Sequence, residues 1–254
     1  MRCAWIGTVL LVAAAAAHAE TTGGCSIAPG HIDSRLSFQW DRGDCAAEGK
    51  CHDGGSDMPW NKWTGIEPQD LGREGATIDA RMKAEAGEMR CEGTVHGGTL
   101  RGRYSFTPDA QFAKRMEAMG FDEQTPDHLQ SYAILDVTTA WVREMKDAGV
   151  TGMDANKLMG LRALKVDAAY VHAMKTAGYP ELQADKLTSM KAVGVTPEKV
   201  QAVRDMGYKP TEDELIEMSV FKIDAPFVQR MKARGFKNPT IAQLVQIKVF
   251  KLDE

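Results

Sequence analysis

Five cysteines, fourteen methionines and five tryptophans are the residues of this 254-residue chain with the most distinctive chemistry. Cys25, Cys45, Cys51 and Cys91 remain once the first stretch of the chain is set aside. In an exported protein an even count reads as two disulfides, with three possible connectivities. Cys45 and Cys51 flank a short polar loop, which favours them as one pair and Cys25 with Cys91 as the other. A zinc site of Cys45, Cys51, His52 and Cys91 would lack a C-x2-C pair and any familiar ligand spacing. The methionines invite a Cu(I) reading, because thioethers bind soft metal ions. Four of them, however, recur at one position of a repeat, where a core role accounts for them. Trp60 and Trp63 lie on one irregular stretch and are candidates to contact a partner or a cell-wall fragment, or else to cover the end of a sheet. Lys146, Lys175, Arg204 and Lys232 form a basic column. It reads either as a ladder for an anionic partner or as charges offsetting helix dipoles.

Catalytic patterns are lacking. There is no G-x4-G-K-S/T loop, no G-x-S-x-G, no H-E-x-x-H and no C-x-x-C. The six histidines are scattered. Glu212-Asp213-Glu214 opens a helix, where acidic residues suit the dipole. The chain reads as non-enzymatic and without a cofactor.

The start of the chain supplies the compartment. Arg2, the apolar run Trp5–Ala17 and the small-residue motif Ala17-His18-Ala19 read as a secretory signal over residues 1–19. No later run approaches 18 apolar residues, so no stable membrane span is expected. The expected location is the periplasm or the exterior. Residues 20–137 carry 12 basic and 20 acidic residues, and residues 138–254 carry 18 and 15. Neither part is basic enough for nucleic acid.

These residues need elements to position them. Over 20–107 the pattern is β. Ile78, Ala80, Met82 and Ala84 alternate with polar residues, as do Leu36, Phe38 and Trp40, then Met89, Cys91 and Val95, then Leu100, Tyr104 and Phe106. Ala86-Gly87 and Gly97-Gly98 are hairpin signals. A meander of at least four antiparallel strands is expected, with an irregular stretch over Gly43–Gly75.

From 108 to 254 a repeat takes over. Gly120, Gly149, Gly178, Gly207 and Gly235 are spaced by 29, 29, 29 and 28 residues. Each has a large apolar residue after it and an apolar residue four before it. That is the pattern of a helix stopped by a left-handed glycine. First-helix caps fall at Asp109, Thr138, Asp167, Thr196 and Asp224, and first-helix anchors at Phe112, Trp141, Tyr170, Lys199 and Phe227. Second-helix anchors are Leu129, Leu158, Leu187, Leu215 and Leu244, and each unit closes on Val137, Val166, Val195, Ile223 or Leu252. Five units predict ten short helices. Unit four departs from the rest: Lys199 replaces the aromatic anchor, Val203 replaces methionine, and one residue is lost before Leu215. It is a candidate bend or contact site.

The run Tyr170-Val171-His172-Ala173-Met174-Lys175-Thr176-Ala177-Gly178-Tyr179 resembles repeats appended to BlaR1-type membrane peptidases and to related exported bacterial proteins. Met89-Arg90-Cys91-Glu92-Gly93, a glycine hairpin and then Tyr104-Ser105-Phe106-Thr107-Pro108-Asp109 resemble the β segment before those repeats. The zinc motif and membrane helices of the peptidases do not occur here, so catalysis is not carried over. The resemblance implies a periplasmic module of sensory or partner-binding type.

The expected fold class is α+β: a small disulfide-bonded antiparallel β module (20–107) followed by an all-α array of five helical hairpins (108–254). The expected function is a periplasmic interaction or sensing module that presents a helical-repeat surface to a protein partner of the cell envelope. Its candidate contacts are Trp60, Trp63, Lys146, Lys175, Lys199, Arg204 and Lys232. The alternative is a small-ligand or cell-wall-fragment binder using the β module and its tryptophans.

Overall fold

The structure is a computed structural model describing residues 21–32, 34–41, 54–122 and 124–252. The proposed signal over 1–19, Cys45, Cys51 and His52 lie outside the described residues.

Among the described residues, seven strands come first: β1 (Thr21–Pro29), β2 (Arg35–Trp40), β3 (Gly54–Pro59), β4 (Trp63–Thr64), β5 (Thr77–Ala84), β6 (Gly87–His96) and β7 (Thr99–Pro108). They form one antiparallel sheet in the order β3-β2-β1-β7-β6-β5-β4. On β5 the alternation faces Ile78, Ala80 and Met82 inward and Thr77, Arg81 and Lys83 outward. Gly97 and Gly98, both at positive φ (57° and 75°), make the two-residue turn between β6 and β7.

The sheet is sharply curled. Cys25 on β1 is bonded to Cys91 on β6, although β7 runs between those strands. In a flat sheet two strand spacings amount to roughly 9–10 Å, yet the two Cα atoms are 5.9 Å apart. The opposed pair Gly93 and Gly102 lies beside this crossing, and a Cβ on either would come within 2.0 Å of the facing strand's carbonyl oxygen. Curling also brings Trp63 of β4, at one edge, against Phe38 of β2, with ring centroids 4.8 Å apart. Phe38, Trp63 and Tyr104 thus fill the interior of a half-barrel.

Ten described α-helices follow: α1 (Ala110–Ala118), α2 (Pro126–Leu135), α3 (Thr139–Asp147), α4 (Ala155–Ala163), α5 (Ala168–Thr176), α6 (Ala184–Ala192), α7 (Pro197–Asp205), α8 (Glu212–Val220), α9 (Ala225–Ala233) and α10 (Ile241–Val249). Asp109, Thr138, Asp167, Thr196 and Asp224 each accept a hydrogen bond from the backbone N–H three residues on, capping the odd-numbered helices. These helices stop at the periodic glycines. At Gly178 φ is +98°, and the Tyr179 N–H donates back to the Met174 carbonyl at 3.2 Å. The even-numbered helices end the same way. The Val137, Val166, Val195, Ile223 and Leu252 N–H groups donate to the carbonyl five residues back. Four of the five left-handed residues before them are not glycine: Asp136, Lys165, Lys222 and Lys251.

The architecture corrects the expected small β module and all-α hairpin array. The sheet has seven strands and is a curled half-barrel, with β1, β3 and β4 added to the expected set. The supposedly irregular stretch holds β3, β4 and two 3-10 turns, Trp60–Lys62 and Pro68–Gly72, so the described helical segments number twelve and are interleaved with strands. The helical part is not all α, because β8 (Val150–Thr151) and β9 (Leu182–Gln183) pair in parallel between units two and three. Nor do the closest backbone approaches fall within a hairpin. Equivalent helices stack on one another, α2 on α4, α4 on α6, α6 on α8 and α8 on α10. On the other side α1 packs on α3 and α3 on α5, and beyond α5 this layer is looser.

The two parts share one hydrophobic core, in which α2 lies against β5, β6 and β7. Glu85, in the β5–β6 turn, accepts from the Thr139 N–H (3.0 Å) and hydroxyl (2.7 Å) and pairs with Arg115 (3.2 Å). A residue of the sheet thereby satisfies the first backbone donor of α3, which the helix itself leaves open. Lys62 adds an ion pair to Asp136 at 3.5 Å.

Candidate functional site

The expected site residues are scattered rather than gathered. Cys25 and Cys91 form the structural bridge described above. Trp63 is 4% exposed and belongs to the sheet interior, whereas Trp60 is half-buried on its 3-10 turn. They therefore make no exposed tryptophan pair. The Trp63 Nε1 is buried without a hydrogen-bond partner among the described residues. Met116, Met145, Met174 and Met231 are buried in the core, as the capping motif requires. Among the described residues no three His, Cys, Asp or Glu side chains are placed to share a metal ion.

The basic column clamps neighbouring units together. Lys146 Nζ donates to the Met119 carbonyl at 2.7 Å, at the end of the preceding unit's first helix. Lys175 and Arg204 lie over Gly149 and Gly178 in the same manner, so close that a Cβ there would sit 2.5 Å and 2.7 Å from them. Lys232 lines the groove beside Met206, Gly207 and Tyr208. Lys146, Lys175 and Arg204 thus face the C-terminal end of a helix in the unit before their own, where the dipole favours positive charge.

A second cation pattern runs along the even-numbered helices. The anchors Trp141, Tyr170 and Phe227 are buried (5%, 8% and 0% exposed). Arg162 lies over the Trp141 ring at 5.4 Å, Lys191 over Tyr170 at 4.3 Å and Lys248 over Phe227 at 4.2 Å. The polar ends of the rings are satisfied by the closing residues. Trp141 Nε1 donates to the Val166 carbonyl (3.0 Å) and the Tyr170 hydroxyl to that of Val195 (2.9 Å). Burial pushes the Tyr170 phenol up to about 12.

Unit four breaks this arrangement. Lys199 is exposed at the anchor position. Ser219 stands four residues after Leu215, where Arg162, Lys191 and Lys248 stand in units two, three and five. The Ile223 carbonyl, equivalent to those of Val166 and Val195, receives no side-chain donor among the described residues. Between α7, α8 and the start of α9 lies a cleft of about 410 Å³ with a mostly apolar lining that includes Val203, Met206, Leu215, Met218 and Ile223. Lys199 and Lys222 flank it. A cleft of this size falls in the range of pockets that hold a ligand or an anchoring side chain.

The Lys199 exchange is legible in the repeat register. Ser219 is the second departure and is found by aligning the even-numbered helices position by position. Lys222 and Ile223 join the site only through the turn between α8 and α9.

No helix among the described residues is long and apolar enough to cross a membrane. The chain matches no known protein family, no curated protein and no solved structure.

Proposed function

We propose that the protein is a non-enzymatic interaction or sensing module of the bacterial cell envelope that presents its helical-repeat surface to a protein partner. The observation that carries this reading is the cleft of unit four. It is an apolar concavity with exposed ammonium groups, in the unit that, among the described residues, gives up both the aromatic anchor and the cation of units two, three and five. A stacked-repeat surface suits partner binding, because each unit adds a similar patch along one face. The Cys25–Cys91 bridge is compatible with an oxidising compartment outside the cytoplasm. The signal-like residues 1–19 and the resemblance to repeats appended to BlaR1-type peptidases support the same placement. The alternative, a binder of small ligands or cell-wall fragments through Trp60 and Trp63, loses support from the burial of Trp63 in the sheet.

The test is affinity capture from envelope extracts with the full mature chain, compared with Trp60→Ala and with the pair Lys199→Glu and Lys222→Glu. A partner that is retained by Trp60→Ala, lost with the double charge reversal, and confirmed by reciprocal capture supports this reading. Loss with Trp60→Ala alone favours the alternative. Turnover of a substrate by the purified chain would overturn the non-enzymatic assignment.

A further inference from the structure

The repeat itself specifies what fits the cleft of unit four. In units two, three and five the corresponding space holds a flat ring, with a cation over it and, for Trp141 and Tyr170, the closing carbonyl at its edge. Unit four keeps the apolar walls and the closing residue Ile223 but supplies neither ring nor stacking cation, since Lys199 and Ser219 stand in their places. The Lys199 ammonium turns back toward Gly194, 3.7 Å from where a Cβ on that glycine would be. Neither Lys199 nor Lys222 has an ion-pair partner among the described residues. Asp224, the acid of the lining, is engaged through Oδ1 with the Phe227 N–H at 2.8 Å. The rim is therefore cationic around an apolar space.

We infer that this cleft receives an aromatic side chain from a polypeptide partner, and that carboxylates flank that residue in the partner. The inference rests on the interaction-module reading and names the chemistry of its contact. The ring would pack against Val203, Met206 and Met218 with its edge toward the Ile223 carbonyl, completing unit four as Trp141 and Tyr170 complete theirs. Aromatic side chains seated in pockets are among the residues that carry most of the affinity at interfaces. Flanking carboxylates would find the Lys199 and Lys222 ammoniums, which favours acidic over basic neighbours.

The test uses the full mature chain with its disulfide and three probes: acetyl-Asp-Phe-Glu-amide, acetyl-Asp-Ala-Glu-amide and acetyl-Lys-Phe-Lys-amide. Binding is read from side-chain methyl signals of Val203, Met206, Met218 and Ile223 by NMR. The first peptide should shift these signals saturably, and the other two should bind at least tenfold more weakly. Lys199→Trp, which restores the repeat's own anchor, should weaken the first peptide at least tenfold and raise the melting temperature. The alanine peptide makes the comparison independent of whether any variant folds. Equal binding of the alanine or lysine peptide, binding unchanged by Lys199→Trp, or no saturable shift with Asp-Phe-Glu would overturn the inference. Equally tight binding of free 3-phenylpropionate would overturn its polypeptide part. An envelope partner captured equally by wild type and Lys199→Trp would overturn the cleft but leave the interaction-module reading standing. Peptide shifts without any captured partner would keep the cleft and remove that reading.

Discussion

Among the described residues, a single left-handed residue stops each of the ten α-helices. Gly178 sits at φ +98°, a region in which a β-branched side chain is strained. Gly178→Val is expected to lower stability by about 1–3 kcal/mol, read as a fall in melting temperature, and an unchanged value would contradict the capping role. Lys165 holds the equivalent left-handed position (φ 56°) at the end of α4 without being glycine. Lys165→Gly should therefore stabilise, by about 0.5–1 kcal/mol after glycine's own entropic cost. Tyr170 gives a pH signature. Burial raises its phenol from 10.0 to about 12, so the folded state holds the proton more tightly than the unfolded chain does. Its contribution is fully present below pH 10 and is lost as pH rises through about 12. Tyr170→Phe should flatten the alkaline fall in melting temperature over that window. At the other extreme, the Arg90 and Arg81 guanidiniums hold the Asp79 carboxyl well below the usual carboxylate range on the outer face of the sheet.

At the scale of elements, the informative contacts join pieces distant in sequence. Glu85 ties the β5–β6 turn to the start of α3 and to Arg115 of α1. Removing it leaves the Thr139 N–H and hydroxyl, in a residue only 6% exposed, without their acceptor. Glu85→Ala should cost about 1–3 kcal/mol, measured by denaturant unfolding, and a smaller loss with Glu85→Gln would show that the hydrogen bonds matter more than the charge. In unit four, Lys199→Trp should place an aromatic ring in the cleft between α7 and α8 and add about 1.5–3 kcal/mol if the ring is fully buried. No gain in stability would mean that the walls of the cleft do not accept a ring.

Across the whole molecule, the half-barrel and the helical stack share a continuous core and so should unfold together. The Cys25–Cys91 bridge closes a segment of 66 residues within the sheet. Replacing both cysteines, Cys25→Ser with Cys91→Ala, should destabilise by about 2–4 kcal/mol. If the core is one cooperative unit, calorimetry will show a single transition moved to lower temperature. A second transition left in place would show that the helices fold without the sheet. Tandem mass spectrometry of the purified, non-reduced protein checks whether Cys45 and Cys51 form a second bridge.

The helix caps, the glycine stops and the strands β2, β5, β6 and β7 were legible in the sequence because the interactions behind them are local. An Asp109 carboxylate reaches an N–H three residues away, and the inward side of β5 repeats every second residue. Other features depended on partners far along the chain. β1 begins Thr21-Thr22-Gly23-Gly24 and β3 begins Gly54-Gly55, sequences with weak strand preference that are extended through pairing with β7 and β2. Trp63 read as a loop residue until the curl of the sheet carried it against Phe38. The left-handed residues Asp136, Lys165, Lys222 and Lys251 gave no glycine signal, because the stacked helices around them hold a conformation their own side chains disfavour. Unit four shows both kinds of information. The replacement of an aromatic anchor by Lys199 is written in the repeat register. That Ser219, Lys222 and Ile223 converge with it on one apolar cleft was decided only by tertiary structure, because a cleft is set by distances between helices rather than by spacing along one of them.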